Sequence, residues 1–343
     1  MKRLLALTTA LILSLSLLSS CASPAVRYRS VSVDADIFDY LYASYKYVYM
    51  TEHKGISDTE EGWTTEYKTG VTYEEDLRLS FEDFVRRIAV ASALYEAESR
   101  LNADSSLAKS TVDGYIADLF YYEDPSDHGE ISSLLSPYGT DYDGLYYTFL
   151  MLYRYGRLRT ALFGSSGIGV IGDQNYADTV KSYYDENCIY VRYLALSADS
   201  EKKDEVDSAF AAVTDLEGFE DFLESYADSD DTKAVFYRYQ SYSTVDADIL
   251  TALTALSVGE TVRVASGGTV FYLYRAETGE EYKNSALLAT LSDFILDVAD
   301  ICYGQYLSDL VGEVEITKAL PHPWETEACR DYNAIYHWNS YND

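Results

Sequence analysis

Positive charge is scarce in this sequence. Only 26 of its 343 residues are lysine or arginine, against 57 aspartates and glutamates, and the formal net charge is −31. Such a chain repels phosphate backbones, so nucleic acid is excluded as an expected partner. It also repels anionic lipid headgroups, and we therefore expect contact with a membrane only through an attached anchor.

Histidine is scarce as well, which limits the chemistry. The four histidines are His53, His128, His322 and His337, and none has a second histidine at metal-ligand spacing. The sequence contains no Gly-x-Ser-x-Gly motif, so nothing indicates a hydrolase. We expect neither a metal ion nor a cofactor.

Long apolar segments are absent apart from the first residues. An uncharged stretch over 4–18 follows two basic residues, and it is shorter than the roughly 20 residues that cross a bilayer. Small residues then lead into Cys21, a pattern that resembles the lipobox of bacterial lipoprotein signal peptides. The resemblance implies removal of residues 1–20, lipid on Cys21, a tether over 21–32, and an extracytoplasmic protein anchored by lipid to the bacterial cell membrane. An ordinary secretory signal or an uncleaved anchor is the alternative.

Cysteine is rare too. After Cys21 the sequence contains Cys188, Cys302 and Cys329. Three cysteines outside the cell cannot all pair within one chain. A disulfide between Cys302 and Cys329 and a set of three free, mostly buried thiols are both compatible with the sequence. The spacings match no zinc pattern.

Helical periodicity dominates the first half of the chain. Apolar residues recur at steps of three and four from Phe38 onward, and Thr72 with Glu75 predicts a capping box at the start of a second helix. We therefore predict a helical domain over 33–187. Its later helices are predicted over 106–122, over 141–163 and up to Asn187.

Tyrosine is the abundant residue, with 35 copies. Its ring combines a large apolar face with a polar tip, which suits half-buried and recognition surfaces. The first predicted helix carries more tyrosines than one buried face accommodates, so some are expected to face a groove or solvent. The alternative is that they pack against the other helices. These residues are Tyr40, Tyr42, Tyr45, Tyr47 and Tyr49.

The hydrophobic period changes at about residue 189. Runs typical of strands alternate with polar-capped helices, which predicts a small α+β domain with a four-stranded sheet over 189–277. A long amphipathic helix is predicted over 284–311, and the aromatic tail 312–343 has no assignable pattern. The expected fold class is α+β, a mainly helical module with an inserted small domain. The strands are predicted over 189–196, 233–239, 261–265 and 269–275.

Two local motifs in the second half are similar to one family. The segment 183–187 (Tyr-Tyr-Asp-Glu-Asn) leads into 190–196 (Tyr-Val-Arg-Tyr-Leu-Ala-Leu), and Leu-x-x-Gly-Glu at 256–260 precedes two strands. Together with the order of elements, they resemble the SurA/PrsA-type foldases of cell envelopes. In that family a helical chaperone module carries a parvulin-type prolyl isomerase domain. The resemblance covers 33–311. It implies a chaperone-like role for the helical domain 33–187, a parvulin-like small domain, and a last helix that packs back on the helical module. It also implies unfolded or secreted polypeptides as partners, with the tyrosines of the first helix as the candidate binding residues.

The small domain departs from that family at the catalytic positions. Active members carry a histidine in the first strand and another near the last strand, whereas here the first position is Tyr193 and 189–277 contains no histidine. Isomerisation has a barrier of about 18–20 kcal/mol, so little or no activity is expected without these groups. An active isomerase with an atypical groove lined by Tyr193, Phe236, Tyr272 and Tyr274 is one alternative. A non-enzymatic scaffold or glycan-binding lipoprotein is the other.

Overall fold

Residues 24–98, 101, 105–121, 124–163, 174–228, 232–239, 246–279 and 291–342 are described by the computed structural model. The chain divides into two units. Unit 1 comprises Met1–Arg159 and Gly304–Asp343, and unit 2 comprises Thr160–Tyr303. Cys21 and the predicted signal peptide lie outside the described residues. Within the described ranges, no helix has the length and apolar character needed to cross a membrane.

Helices predominate, and the strands form small antiparallel sheets, which confirms a mainly helical α+β fold. The first half of the chain contains β1 (Val26–Tyr28), β2 (Val31–Val33), α1 (Ala35–Glu52), α2 (Glu60–Thr64), β3 (Glu66–Lys68), β4 (Val71–Thr72), α3 (Tyr73–Ala97), α4 (Ser105–Leu119), α5 (His128–Leu135) and α6 (Tyr142–Phe163). The second half contains α7 (Gln174–Asn187), β5 (Cys188–Ser197), α8 (Lys203–Phe210), α9 (Leu216–Tyr226), β6 (Lys233–Tyr237), α10 (Ala247–Ala255), β7 (Thr261–Ser266), β8 (Thr269–Arg275), α11 (Ser292–Ser308), β9 (Glu315–Ile316) and α12 (Ala334–Asn342).

A three-stranded sheet in unit 1 joins residues near both ends of the described chain. Its order is β2-β1-β9, and Val26 is paired with Val33 on one side and with Ile316 on the other. Val26 and Val33 are fully buried. The expected tether over 21–32 is therefore wrong for residues 26–32, because alternate apolar residues in this segment bury one face of a sheet.

Helix α3 begins as the sequence predicts. The Thr72 side chain accepts a hydrogen bond from the Glu75 backbone, and the Glu75 side chain accepts one from the Thr72 backbone, so the capping box is confirmed. Further along the same helix, Phe81 is fully buried. Its ring meets those of Phe38 and Tyr42 edge-on, at centroid distances of 5.3 and 5.1 Å. These contacts pack α3 against α1 in the core of unit 1.

A buried ammonium group connects α1 to the C-terminal segment. The Lys46 side chain is fully buried, and its Nζ donates to Asp58 at 2.7 Å, to the Pro323 carbonyl at 2.8 Å and to the Thr326 carbonyl at 2.6 Å. The Trp63 indole donates to the other Asp58 oxygen at 2.8 Å and lies beside the ammonium. All three ammonium hydrogens are thus satisfied, as a buried charge requires.

The rest of the C-terminal segment packs on the same helix. The backbone N–H of Cys329 donates to the Ala43 carbonyl at 3.0 Å, and the Asn333 side chain donates to the Ser44 carbonyl at 2.8 Å. Helix α12 then packs on α1 and α4. The tail, to which the sequence assigned no structure, therefore completes the core of unit 1.

The sheet of unit 2 has the order β6-β5-β8-β7, with every neighbouring pair antiparallel. All four predicted strands are confirmed. Gly267 and Gly268 connect β7 to β8 with φ angles of 55° and 81°. A two-residue hairpin turn requires this left-handed conformation, which glycine adopts without strain.

Two separate hydrophobic clusters cover the faces of this sheet. One contains Leu194 and Tyr272 and includes residues of α8 and α9. The other contains Val191 and Leu273 and includes residues of α10. Side chains alternate between the faces of a strand, so neighbouring residues of β5 and of β8 belong to different clusters.

The three described cysteines are buried, and none of them forms a disulfide within the described residues. Cys302 belongs to unit 2, whereas Cys329 belongs to unit 1, where its backbone is bonded to α1. The structure therefore does not contain the Cys302–Cys329 disulfide. Burial raises the pKa of the Cys188 and Cys329 thiols to about 12, which keeps both in the unreactive protonated form at neutral pH.

Replacing Lys46 tests the contact that holds the C-terminal segment. We expect Lys46→Met to lower the free energy of unfolding by about 3 kcal/mol, because Asp58 and two buried carbonyls lose their donor. Urea denaturation followed by tryptophan fluorescence measures the change. Lys54→Met, at an exposed position that follows α1, is the matched control. Equal midpoints for the two variants would contradict the structural role of Lys46.

A second prediction concerns pH and helix α12. His337 lies with its ring edge-on to Phe149, 6.0 Å between centroids, and burial lowers the pKa of its imidazole against the opposing charge of Asp118. The folded state therefore binds the proton less readily than the unfolded state. This contribution to stability is fully present above the unfolded pKa of about 6.5 and is lost as the pH falls below it.

We expect His337→Gln to lessen the fall of the thermal midpoint between pH 7 and pH 5. His128→Gln, at an exposed position, should leave that fall unchanged. Identical pH profiles for the parent and His337→Gln would show that His337 does not carry the effect.

Candidate functional site

The four aromatic residues expected to line one groove of unit 2 lie on opposite faces of its sheet. Tyr272 and Tyr274 are buried in the cluster with α8 and α9. Tyr193 and Phe236 pack in the other cluster, with α10. The register explains this, because Tyr193 is paired with Leu273 and shares its face. The prediction of a common groove is therefore wrong.

On the α8 face, Asp207 accepts hydrogen bonds from three donors. The Tyr272 hydroxyl lies 2.8 Å from Oδ1, Arg263 Nε lies 2.7 Å from the same oxygen, and Lys203 Nζ lies 2.7 Å from Oδ2. Lys203, then Arg263 and Tyr272, hold the pKa of the Asp207 carboxyl well below its usual range. Burial, then the bond to Asp207, raises the pKa of Tyr272 to about 12.

This arrangement does not provide a general acid or base near neutral pH. Efficient proton transfer needs a group with a pKa close to the working pH. Asp207 stays ionised and Tyr272 stays neutral, and each is already bonded within the domain. Because 189–277 contains no histidine, the small domain lacks the usual alternative. The network fits a structural role between α8, β7 and β8.

The five tyrosines of α1 do not form one exposed surface. Tyr40, Tyr42 and Tyr49 are buried, and Tyr45 and Tyr47 are partly buried. Burial raises the pKa of the Tyr45 phenol to about 12, so it is uncharged at neutral pH. Most of these tyrosines therefore pack against other elements, as the alternative interpretation expected.

The partners of the buried tyrosines explain why they are covered. The Tyr40 hydroxyl donates to the Tyr332 carbonyl at 2.6 Å and accepts from the Ala334 backbone at 3.1 Å. The Tyr49 hydroxyl donates to Asp76 of α3 at 2.9 Å. One side of α1 therefore faces α3, and another faces the C-terminal segment.

A cleft in unit 1 lies where Tyr42 approaches this segment. It has a volume of about 630 Å³, within the range of pockets that bind small molecules or side chains. Its lining combines apolar and aromatic groups with a few charges. From α1 come Asp39, Tyr42 and Ala43, from the turn after α5 come Pro137, Tyr138 and Gly139, and from the C-terminal segment come Lys318, Ala319, Leu320, Pro321, Glu325, Thr326 and Glu327.

The charges of this cleft leave it acidic. Lys318 Nζ lies 2.5 Å from Asp39 and so neutralises that carboxylate. Glu325 and Glu327 are exposed, and neither forms an ion pair with the part of the chain that the structure describes. Burial raises the pKa of Tyr42 and of Tyr138, so both phenols are uncharged. The cleft therefore offers an apolar floor with negative charge at its edge, which complements an apolar segment that carries a lysine or arginine.

Sequence reasoning identified Tyr42 but missed the other walls of the cleft. Most of these residues come from 318–327, which has neither helical nor strand periodicity. The one usable signal is the proline content, because three of the five prolines of the chain are Pro137, Pro321 and Pro323. Prolines stiffen an irregular segment and suit it to form a fixed wall.

The Asp207 network generates a test of its structural role. We expect Tyr272→Phe to lower the free energy of unfolding by about 1 kcal/mol, because a buried hydrogen bond to a carboxylate is lost. Tyr226→Phe is the matched control, since that hydroxyl bonds to exposed Glu205 at 3.2 Å. Chemical denaturation of both variants measures the difference. No loss in Tyr272→Phe would mean that the network contributes nothing to stability.

Comparisons with known proteins return solved structures of foldases. No family model matches the chain, and no curated protein matches it. The similar structures are foldase protein PrsA from Streptococcus pneumoniae str. Canada MDR_19A (13% identity, TM-score 0.26, covering 80% of this chain and 98% of that one), PrsA from Bacillus subtilis (14%, 0.25, 76% and 92%) and foldase protein PrsA from Lactococcus lactis (12%, 0.25, 87% and 96%). These identities and TM-scores do not assign the chain to a family.

Proposed function

We propose that this chain is an extracytoplasmic, lipid-anchored foldase-like protein that binds unfolded or partly folded secreted polypeptides without catalysing prolyl isomerisation. The observation that carries the proposal is the small domain, which has the expected order of elements but no available catalytic group. Its elements follow the order that the resemblance to parvulin-bearing foldases implies, and its sheet is β6-β5-β8-β7. Its polar network is nevertheless engaged in internal contacts.

The absence of catalysis is argued from the groups that the reaction needs. An isomerase must favour the twisted amide over the planar one, which requires a groove that grips proline. Tyr193 and Phe236 lie on one face of the sheet, and Tyr272 and Tyr274 lie on the other, so they cannot close around one ligand. The domain then serves as a structural or weakly binding module.

The cleft of unit 1 is the proposed contact site for polypeptide. The partly exposed Tyr138 and Pro321 present apolar surface in the cleft, and Glu325 and Glu327 attract positive charge. Unfolded chains expose such mixed segments, whereas folded proteins bury most of their apolar side chains. The cleft therefore favours unfolded over folded partners.

The anchor and the location rest on the leader. The short apolar run and the small residues before Cys21 support a lipidated N-terminus. Two or more acyl chains hold a protein stably at a membrane, whereas one chain holds it only marginally. Only a few residues separate Cys21 from β1, so unit 1 is expected to stay close to the membrane surface.

An aggregation assay tests polypeptide binding. Residues 22–343, which include every described element, are added to a chemically unfolded, aggregation-prone basic protein while light scattering is recorded. We expect suppression at a near-stoichiometric ratio. We also expect Glu325→Gln with Glu327→Gln to weaken the apparent affinity roughly two- to fivefold at low salt, because two edge charges are lost.

Glu60→Gln with Glu61→Gln is the matched control, since both residues are exposed and lie outside the cleft. An equal loss of apparent affinity in the two double variants would show that the cleft is not the binding site. No suppression by the folded parent would contradict polypeptide binding altogether. Prolyl isomerisation of a model peptide is measured in parallel, and acceleration at nanomolar protein would contradict the catalytic part.

A further inference from the structure

A second cavity in unit 1 lies between helix α3 and the hairpin formed by β3 and β4. Its volume is about 450 Å³, and β4 packs against α3. The residues from α3 follow the i, i+3, i+4, i+7 pattern of one helix face, so they lie together on the side that the hairpin borders. The lining consists of Gly70 and Val71 from the hairpin and Glu75, Arg78, Leu79 and Glu82 from α3.

This cavity contains an apolar side chain that the fold leaves uncovered. Leu79 is 69% exposed, whereas Leu77 and Phe81 on the core side of the same helix are fully buried. Val71, which lines the same cavity, is only partly buried. A single exposed leucine is common on protein surfaces, but a leucine in a concave site with a second apolar group provides a surface that a ligand can cover.

The charged groups of the cavity leave one carboxylate without an ionic partner. Arg78 Nη1 lies 4.0 Å from a Glu74 oxygen, and Arg86 Nη2 lies 3.7 Å from a Glu82 oxygen. Glu75 is exposed and belongs to the capping box of α3, and no ion pair joins it to the part of the chain that the structure describes. A positively charged ligand group is therefore attracted to Glu75.

Side-chain contacts connect this cavity to the cleft of unit 1. Pro321 lines the cleft, and Nδ1 of the next residue, His322, lies 2.7 Å from Glu74 Oε1. Arg78, which lines the second cavity, lies 4.0 Å from the same oxygen. The exposed His322 ring also stacks on the partly exposed Trp324 ring, with 4.4 Å between centroids. The two cavities are therefore neighbours, and an exposed aromatic ring lies at their junction.

We propose that the cavity beside Leu79 is a second contact site for the polypeptide that occupies the cleft, an inference that rests on the proposed function. The ligand is an unfolded segment in which an apolar side chain lies next to a lysine or arginine. The apolar side chain covers Leu79 and Val71, and the cation pairs with Glu75. Glu74 and Leu79 are separated by about 7.5 Å along the helix axis, which two or three residues of an extended chain span. A segment of about ten residues therefore reaches both sites, and binding at one raises the effective concentration at the other.

Fluorescence anisotropy with a labelled peptide tests the second site. The probe is a peptide of about ten residues that carries a leucine and a lysine at each end, with glycine and serine between them, and it is titrated with residues 22–343. We expect Leu79→Ser to weaken binding roughly five- to tenfold, because one leucine of the peptide loses its apolar contact. Leu79→Met keeps that contact and should bind as the parent does. Leu107→Ser, at an exposed position of α4 outside both cavities, is the matched control and should also bind as the parent does.

A second peptide, in which serine replaces the leucine at one end, separates binding at two sites from binding at one. Its remaining leucine occupies the cleft, so Leu79→Ser should leave its affinity unchanged. The same loss for both peptides, or an equal loss in Leu79→Ser and Leu107→Ser, would overturn the second site.

The two proposals fail in different ways. Parent-like binding of the first peptide by Leu79→Ser, together with weaker binding by Glu325→Gln with Glu327→Gln, would overturn the second site and leave the cleft in place. No binding of either peptide by the folded parent would overturn the proposed function and the second site with it.

Discussion

The buried ammonium of Lys46 holds the C-terminal segment against α1, and the cleft depends on that contact. Two of its three bonds go to the carbonyls of Pro323 and Thr326, and the third goes to Asp58. A buried lysine without these partners would be strongly destabilising, so the segment and the helix need each other. Beyond this contact, Cys329 and Asn333 continue along α1, and α12 closes the core.

The two units differ in the surfaces that they offer to a ligand. The wall of the cleft is an irregular, proline-containing segment fixed at its ends, while the small domain is a regular sheet covered on both faces. Among the described residues, helices cover both faces of this sheet, and the Asp207 carboxylate is already bonded to three donors. We therefore propose polypeptide binding for the helical unit and not for the small domain.

Periodicity predicted the regular parts of this protein and failed where contacts are distant in sequence. The capping box at Thr72 and the four strands of unit 2 follow from local patterns, and the structure confirms them. The surplus tyrosines of α1 were expected to face a groove because one helix face cannot bury them all. The C-terminal segment 318–342 buries a second face of α1. No local sequence pattern predicts where that segment packs.

The split of the expected groove follows from alternation only when the register between β5 and β8 is known. Tyr272 and Tyr274 share a parity on β8, and pairing of Tyr193 with Leu273 puts it on the other face. The presence of four aromatic residues in these strands was not sufficient to predict a groove, because the strand register decides which face each side chain occupies. Register between β5 and β8 depends on long-range pairing, and the sequence specifies it only once the neighbouring strand is known.

Hydrogen–deuterium exchange of residues 22–343, with and without an unfolded basic protein, tests the central claim most directly. If the cleft of unit 1 binds polypeptide, amide protection should increase over 137–139 and 318–327 and stay unchanged over β5 to β8. Protection confined to β5, β6 and β8, with the cleft unchanged, would contradict the account and move polypeptide binding to the small domain.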